Sequence, residues 1–558
     1  MFAFRTFHWT SWALFSLFLV GFVTGQDSIP ASQPSDAVPP APSSATAKRT
    51  EFDDFVDSAV RQERRLTDLM RSFNPIIETY VQEAGAEYRF QRGIIPNGDD
   101  YFLSRLNLTE DSPSIAPFED EETWNQGPEK YFVHDQLPFS QVAFAQALFP
   151  DFGHFDRQNY TFEFVRWEVL GEVRCAAVDV RPVGNSKKRG FVGRIWVEDR
   201  NYGIVRFRGT FTSKGLAKRA FHFDSWRLNT VGNWWMPAYV YTEEGNPQDL
   251  SSHKLWFKAQ TRVWGYGLQN AGEHRENAKK TAPGEDFPEP NETTHPPEDT
   301  EDTIVERSQV AGLIAPDGEV NRILETVVNN ILITNNLDVA RVRCRVLLTI
   351  PLESFVMGRT IVISRGLLDV LPDEATLAAV LAHELAHVVL GHEVNKPYLT
   401  NLDWPFPDPQ IFALDFHFNH TQEAEANKKG MELFSKSPYK DQFVSADLFL
   451  KALQANSGRF PILLHGRFSN DFGSSQLVAV QRQANSPVLA KTDRLDQISA
   501  LPLGSRIVLD PWSDRIEILK APPVRLQSKA EKIPFEVTPF YPYLRRLTAP
   551  EKSDGVEQ

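Results

Sequence analysis

His383, Glu384 and His387 stand in the order H-E-x-x-H within the run L-A-A-V-L-A-H-E-L-A-H-V-V-L-G-H from Leu377 to His392. Residues four apart on an α-helix lie on one face, one turn above the other, so two imidazole nitrogens can aim at one point. Glu384 sits about 100° round such a helix, within reach of a water on a metal held there. This is the signature of a zinc hydrolase, with two His ligands and the intervening Glu as general base. A tetrahedral catalytic zinc takes three protein ligands and a water, so one more ligand is needed. His392 is near in sequence, but on a continued helix it lies about 140° from His387. It reads as a helix C-terminal residue that interacts favourably with the dipole there. Farther on, N-H-T-Q-E-A-E-A-N-K-K-G-M-E-L from Asn419 to Leu433 looks helical and puts Glu423 and Asn427 on one face. Glu423 is a candidate third ligand with Asn427 behind it; a solvated helix face is the other reading of these glutamates. Glu425 lies about 200° from Glu423 and cannot share a metal with it.

The elements that must position these residues can be read from pattern. Pro372 and Asp373 open the H-E-x-x-H helix, with Asp373 as N-cap and Gly391 placed to end it. Val320, Ile323, Leu324, Val327, Val328, Ile331 and Leu332 trace one face of an earlier helix. Ala340 to Ile350 alternates, with Arg341, Arg343 and Arg345 on what reads as a solvated face of a strand. Gly358 to Ser364 is a second strand, expected to pair with an extended substrate backbone. Upstream, Phe52 to about Glu83 reads as helix, interrupted by Pro75 and resumed from Ile76 to Val81. From about Glu87 to Thr261, short runs rich in β-branched and aromatic residues suggest an antiparallel meander. Six tryptophans there (Trp167, Trp196, Trp226, Trp234, Trp235 and Trp256) fill a one-sided core or line a cavity for an acyl chain or peptide.

The run from Gly366 to His392, G-L-L-D-V-L-P-D-E-A-T-L-A-A-V-L-A-H-E-L-A-H-V-V-L-G-H, resembles the gluzincin metallopeptidase family of HtpX, BepA and the CAAX prenyl proteases. In that family a similar run is followed by E-x-x-A-D, found here as Glu423-Ala424-Glu425-Ala426-Asn427. The resemblance covers roughly Val320 to Ile498. It implies one Zn2+ per chain held by His383, His387 and Glu423, with Glu384 as the general base of peptide hydrolysis. Asn427 replaces the family's Asp in the outer support, and an amide brings no negative charge. The family's downstream Arg, which helps bind the oxyanion, corresponds to Arg494; His465 and Arg467 are rivals for that part. The stretches R-G-F-V-G-R-I-W-V-E-D-R, I-V-R-F-R-G, F-H-F-D-S-W-R and W-W-M-P-A-Y-V resemble, in architecture, the half-barrel of the LolA/LppX lipoprotein carriers. That resemblance implies lipid or lipoprotein binding at the N-terminal sheet.

An α+β multidomain fold follows. It joins an antiparallel β-meander or half-barrel N-terminal domain to a mainly α-helical zincin peptidase domain with a small sheet. Residues 1–25 read as a signal peptide, with Arg5 before an apolar run and a cleavage site after Gly25. Residues 26–50 read as a disordered Pro/Ser-rich tether, and 51–269 as helix plus Trp-rich antiparallel β domain. Residues 270–303 read as an acidic Pro-rich linker, 304–500 as the metallopeptidase domain, and 501–558 as a β/extended extension. The net charge of −14 argues against a nucleic-acid partner. The two cysteines, Cys175 and Cys344, exclude a disulfide framework and a thiolate zinc site. No other run is long enough to span a bilayer. The expectation is an exported, periplasmic or extracellular zinc metalloendopeptidase, soluble after signal cleavage, that acts on polypeptides such as misfolded envelope proteins. The alternative is an envelope chaperone or lipid-binding protein with a weak or inactive peptidase domain.

Overall fold

Most of the N-terminal half folds into one ten-stranded sheet. Its strands are β1 (Ile76–Ala84), β2 (Gly98–Leu108), β3 (Pro113–Pro117), β4 (Tyr160–Leu170), β5 (Val173–Pro182), β6 (Gly190–Glu198), β7 (Ile204–Thr212), β8 (Phe221–Val231), β9 (Trp234–Glu244) and β10 (Trp256–Trp264). The spatial order is β3-β2-β1-β10-β9-β8-β7-β6-β5-β4, antiparallel throughout. The computed structural model describes residues 50–84, 98–109, 112–117, 141–183, 190–212, 221–231, 234–244, 256–266, 300–339, 341–371, 373–392, 414–442, 446, 449, 450, 453, 458, 460–470, 507–510, 515–518, 537, 539 and 541–546. The signal peptide, the tether, the linker as far as residue 299 and Arg494 lie outside the described residues.

The meander expected from Glu87 onward is present and begins earlier. Ile76–Ala84, expected as helix, is strand β1, paired with β10 on one side and β2 on the other. I-I-E-T-Y-V is β-branched and aromatic at alternate positions, and it follows a proline, which favours extended backbone before it. The helix before it, α1 (Glu51–Met70), is closed at its start by a capping box in which the Thr50 and Asp53 side chains each take the other's backbone N–H. Together α1 and α2 (Gln141–Gln146) cover one face of the sheet over a phenylalanine-rich core: Phe144, Phe149, Phe191, Phe207, Phe223 and Phe257 are all buried. Within that core Arg227 makes a bidentate ion pair with Glu63 of α1, both bonds 2.6 Å.

On the opposite face two things are packed. Toward the strands β5 to β9, Trp196, Trp226 and Trp235 are buried in a cluster with Leu544. These three of the six tryptophans fill a core, whereas Trp167 on β4 is exposed. Arg206 stacks between the Trp196 and Trp226 rings, 4.4 Å from each centroid, and is held by Asp224. The segment 541–546 closes this cluster. The Leu544 carbonyl accepts from the Glu172 N–H at 2.8 Å, and Arg546 pairs with the fully buried Glu198 at 2.7 Å. Val537, also buried, donates its N–H to Gln82 of β1.

Toward β1, β2, β9 and β10, the sheet shares its core with the helical region. Ile76, Tyr80, Tyr101, Leu103, Tyr241 and Trp264 belong to the same apolar cluster as the helices that follow. These are α3 (Thr300–Ala311), α4 (Glu319–Thr334), α5 (Arg365–Val370), α6 (Glu374–Leu390), α7 (His420–Ser435) and the short α8 (Pro461–Leu464). Residues 300–303, expected to close a solvated linker, open α3 instead. Glu301 and Asp302 bind Arg343, and Glu301 also reaches Thr360. Two of the three arginines expected on a solvated face are thus ion-paired, since Arg345 meets Asp317 at 3.2 Å. Three strands, β11 (Arg343–Leu347), β12 (Ser354–Met357) and β13 (Thr360–Ser364), form a small sheet in the order β11-β13-β12. A further hairpin joins β14 (Ile507–Asp510) to β15 (Arg515–Ile518). Both cysteines are buried and free, and burial pushes each thiol up to about 12. No helix among the described residues is long and apolar enough to cross a membrane.

Candidate functional site

The H-E-x-x-H residues sit in the middle of α6. The Asp373 side chain accepts from the Thr376 N–H at its start, and Gly391 ends it with φ +69°, a conformation that glycine adopts at no steric cost. The helix is apolar almost all round and its middle is buried. Its neighbour α7 starts with a capping box formed by Asn419 and Gln422. The two helices touch where Gly430 faces the His383 backbone; a Cβ there would come within 2.9 Å of the His383 Cα. This close approach sets Glu423 of α7 opposite the two histidines.

The resulting cluster is compact. His383 Nε2 and His387 Nε2 are 3.3 Å apart. Glu423 Oε2 is 3.5 Å from the first and its Oε1 is 3.9 Å from the second. One donor atom from each residue lies within 4.8 Å of the others, and all three side chains are buried. Among the described residues, the buried Glu423 Oε2 has only the long 3.5 Å contact with His383, a costly arrangement for a carboxylate that a bound cation would relieve. Burial, and then the His383 and His392 charges, push the pKa of His387 down to about 2, so its ring is neutral and keeps a lone pair. Burial also opposes protonation of His383. There donation from the ring to Glu423, the charges of Glu384 and Glu423 and donation to Asn427 outweigh it, and the pKa is raised. Two imidazoles and a carboxylate converging in a dry site are a donor set suited to zinc.

Glu384 lies beside this cluster and is also buried. Burial raises its pKa to about 7, against the pull of His383 and a hydrogen bond from Ser354. Ser354 Oγ donates to Glu384 Oε1 at 2.6 Å, which fixes the carboxylate from the side of β12. This serine, the first residue of an edge strand, carries no motif that would single it out.

Two further groups, Phe418 and Asn470, were outside the sequence reading. Phe418 stacks on His387, with ring centroids 3.9 Å apart and planes 19° apart. Asn470 holds Phe418 by a reciprocal pair of bonds, accepting from its N–H at 2.9 Å and donating to its carbonyl at 3.0 Å. His392 places its Nδ1 3.0 Å from His387 Nδ1. The rivals His465 and Arg467 follow α8; the Arg467 guanidinium lies over the Phe468 ring.

β13, expected to pair with substrate, has both edges taken by β11 and β12. The margins of the sheet are β12 and β11, and the β11 margin is bridged to Ile314. The sequence reading found β13 and the region of β11 but not β12.

Glu353 precedes β12 and is fully buried. It accepts from the Arg467 N–H at 2.7 Å and the Phe468 N–H at 3.3 Å, and burial raises its pKa to about 7. Because the folded value lies above the ordinary 4.5, the protonated form favours folding. That contribution is complete below pH 4.5 and is lost as pH rises through 7. Glu353→Gln is expected to keep stability that wild type loses between pH 5 and 8, a difference of about 3 kcal/mol. Urea midpoints across that range would show it; parallel profiles for the two proteins would assign the titration elsewhere.

Residues 317–404 match the model of Peptidase family M48. That segment, which contains His383, Glu384 and His387, is thus similar to a peptidase family. Among solved structures, the chain is similar to a LolA-superfamily protein from Nitrosomonas europaea, with 11% identity, over 37% of this chain and 90% of that one, at a TM-score of 0.20. It is also similar to a domain described as an outer membrane lipoprotein-sorting protein from Vibrio parahaemolyticus, with 11% identity, over 40% of this chain and 97% of that one, at the same TM-score of 0.20. Likenesses at that score carry no argument about ligand or activity. No curated protein matches the chain.

Proposed function

We propose that the protein is an exported zinc-dependent metalloendopeptidase that acts on polypeptides in the cell envelope, misfolded ones among them. The observation that carries this reading is the convergence of His383, His387 and Glu423 on one buried point, with Glu384 alongside. His383, His387 and Glu423 would hold one Zn2+, with Asn427 supporting His383. A zinc ion held there supplies Lewis acidity toward the scissile carbonyl and acidifies a water. Glu384 takes the proton of the attacking water and later delivers it to the leaving amine. Ser354 holds that carboxylate in place while it does so. The unpaired edge of β12 offers backbone N–H and C=O groups to an extended substrate. Arg494 is assigned to the oxyanion by resemblance.

Metal analysis of the purified protein beside cleavage of a denatured polypeptide such as casein tests the proposal. About one zinc per chain is expected, with cleavage lost on chelation and regained when zinc is returned. A wild-type protein without stoichiometric zinc would sink it.

The chaperone alternative has one observation in its favour. Edge strand β4 exposes Phe164, Trp167 and Val169, the last at 68%. Such an edge can take up an unfolded segment. Metal-free protein that suppresses aggregation of a denatured client would favour that reading, and co-purified acyl lipid would favour its lipid-binding form.

A further inference from the structure

We infer that His392 and Glu425 form a hydrogen-bonded relay that orients His387 and fixes its tautomer, and that they are positioning residues of the metal centre. The inference rests on the reading of His387 as a ligand through Nε2.

The distances set the chain of contacts. His387 Nε2 faces His383 and Glu423, so it must carry the lone pair. An imidazole that presents a lone pair at Nε2 carries its proton on Nδ1. His392 Nδ1 lies 3.0 Å from that nitrogen and must accept the proton's hydrogen bond. An imidazole that accepts at Nδ1 carries its own proton on Nε2. His392 Nε2 is 3.3 Å from Glu425 Oε2, an acceptor only. Every member then has one consistent role, and only one assignment of protons satisfies all of them.

Burial and packing hold the relay in place. The His392 side chain is 8% exposed, whereas Glu425 is 59% exposed. Phe418 stacks on His387 and leans on His392, with centroids 6.0 Å apart, which keeps both rings from turning. A histidine ligand whose other N–H is held by a carboxylate or another acceptor is oriented and made more basic. Asn427, beside His383, brings no negative charge to the site. The Glu425 carboxylate brings one to the His387 side through the intervening ring.

The test is zinc affinity, measured by competition with a chromophoric chelator on the full chain. His392→Phe and Glu425→Gln are expected to weaken zinc binding about 10–100-fold. Glu425→Asp, which keeps the charge, is expected to recover most of the loss. The thermal midpoint of the metal-free Glu425→Gln protein should stay at the wild-type value, since the residue is on the surface. Selective 15N-histidine NMR of the metal-free wild type should show His387 protonated at Nδ1 and His392 at Nε2. Wild-type affinity in both His392→Phe and Glu425→Gln would overturn the relay. So would a His392 protonated at Nδ1. Should wild type itself bind no zinc, the metal reading fails while the NMR tautomers still decide the relay.

Discussion

Glu384→Gln is expected to lower the rate of polypeptide cleavage by about 10²–10⁴-fold with bound zinc unchanged. Glutamine has nearly the same volume and keeps an oxygen for the Ser354 hydroxyl, so the local packing survives. His383, His387 and Glu423 are untouched, and none of them needs the Glu384 charge to point inward. What disappears is the ability to take and return a proton. The expected loss is therefore in turnover, with KM little altered, because a proton shuttle acts in the transition state and contributes little to ground-state binding. Zinc content, KM and turnover measured on the same preparation separate the outcomes. Retained activity would place proton transfer elsewhere, and lost zinc would mean that the carboxylate helps to hold the metal.

The second large effect lies far from this chemistry. Arg227→Met is expected to cost about 3–5 kcal/mol of stability. The Arg227 and Glu63 side chains are 1% and 2% exposed, and they meet through two bonds of 2.6 Å. Removing the guanidinium strands a carboxylate inside the phenylalanine core between α1 and the sheet. Removing both charges together, as in Glu63→Met with Arg227→Met, is expected to restore the wild-type value or exceed it by about 1–4 kcal/mol. Denaturant midpoints of the single and double variants would show the contrast. A single variant as stable as wild type would mean that water reaches Glu63.

How much of this was legible beforehand depended on whether the deciding interactions were local. The catalytic helix was readable from end to end because its caps, Asp373 and Gly391, act within a turn of it. Glu423 was readable through its spacing from Asn427 and the resemblance that followed. Ile76–Ala84 was not, because its apolar positions fit a helix nearly as well as a strand. Its fate is settled by pairing with Trp256–Trp264, far along the chain. Helical projection set His392 apart from His387, and its contact with that ring was missed for the same reason. Gly391 turns left-handed, the projection no longer holds, and the ring swings back under its neighbour. Ser354 had no signal at all. A serine in a strand is common, and its meaning here comes from a carboxylate on another element.

The docking of residues 537–546 has a mechanical consequence. The chain leaves the large sheet at β10, builds the helical region, and is fastened to the same sheet again by Val537, Leu544 and Arg546. The helices that carry His383, His387 and Glu423 thus belong to a loop whose two feet stand on one plate. Tension applied to the chain beyond Arg546 is borne first by Leu544 among the tryptophans and by the Arg546–Glu198 pair. His383, His387 and Glu423 carry no load until that fastening gives way. A backbone cut between Asn470 and Val537 would break the loop in covalent terms while leaving its far foot seated, held by the same contacts.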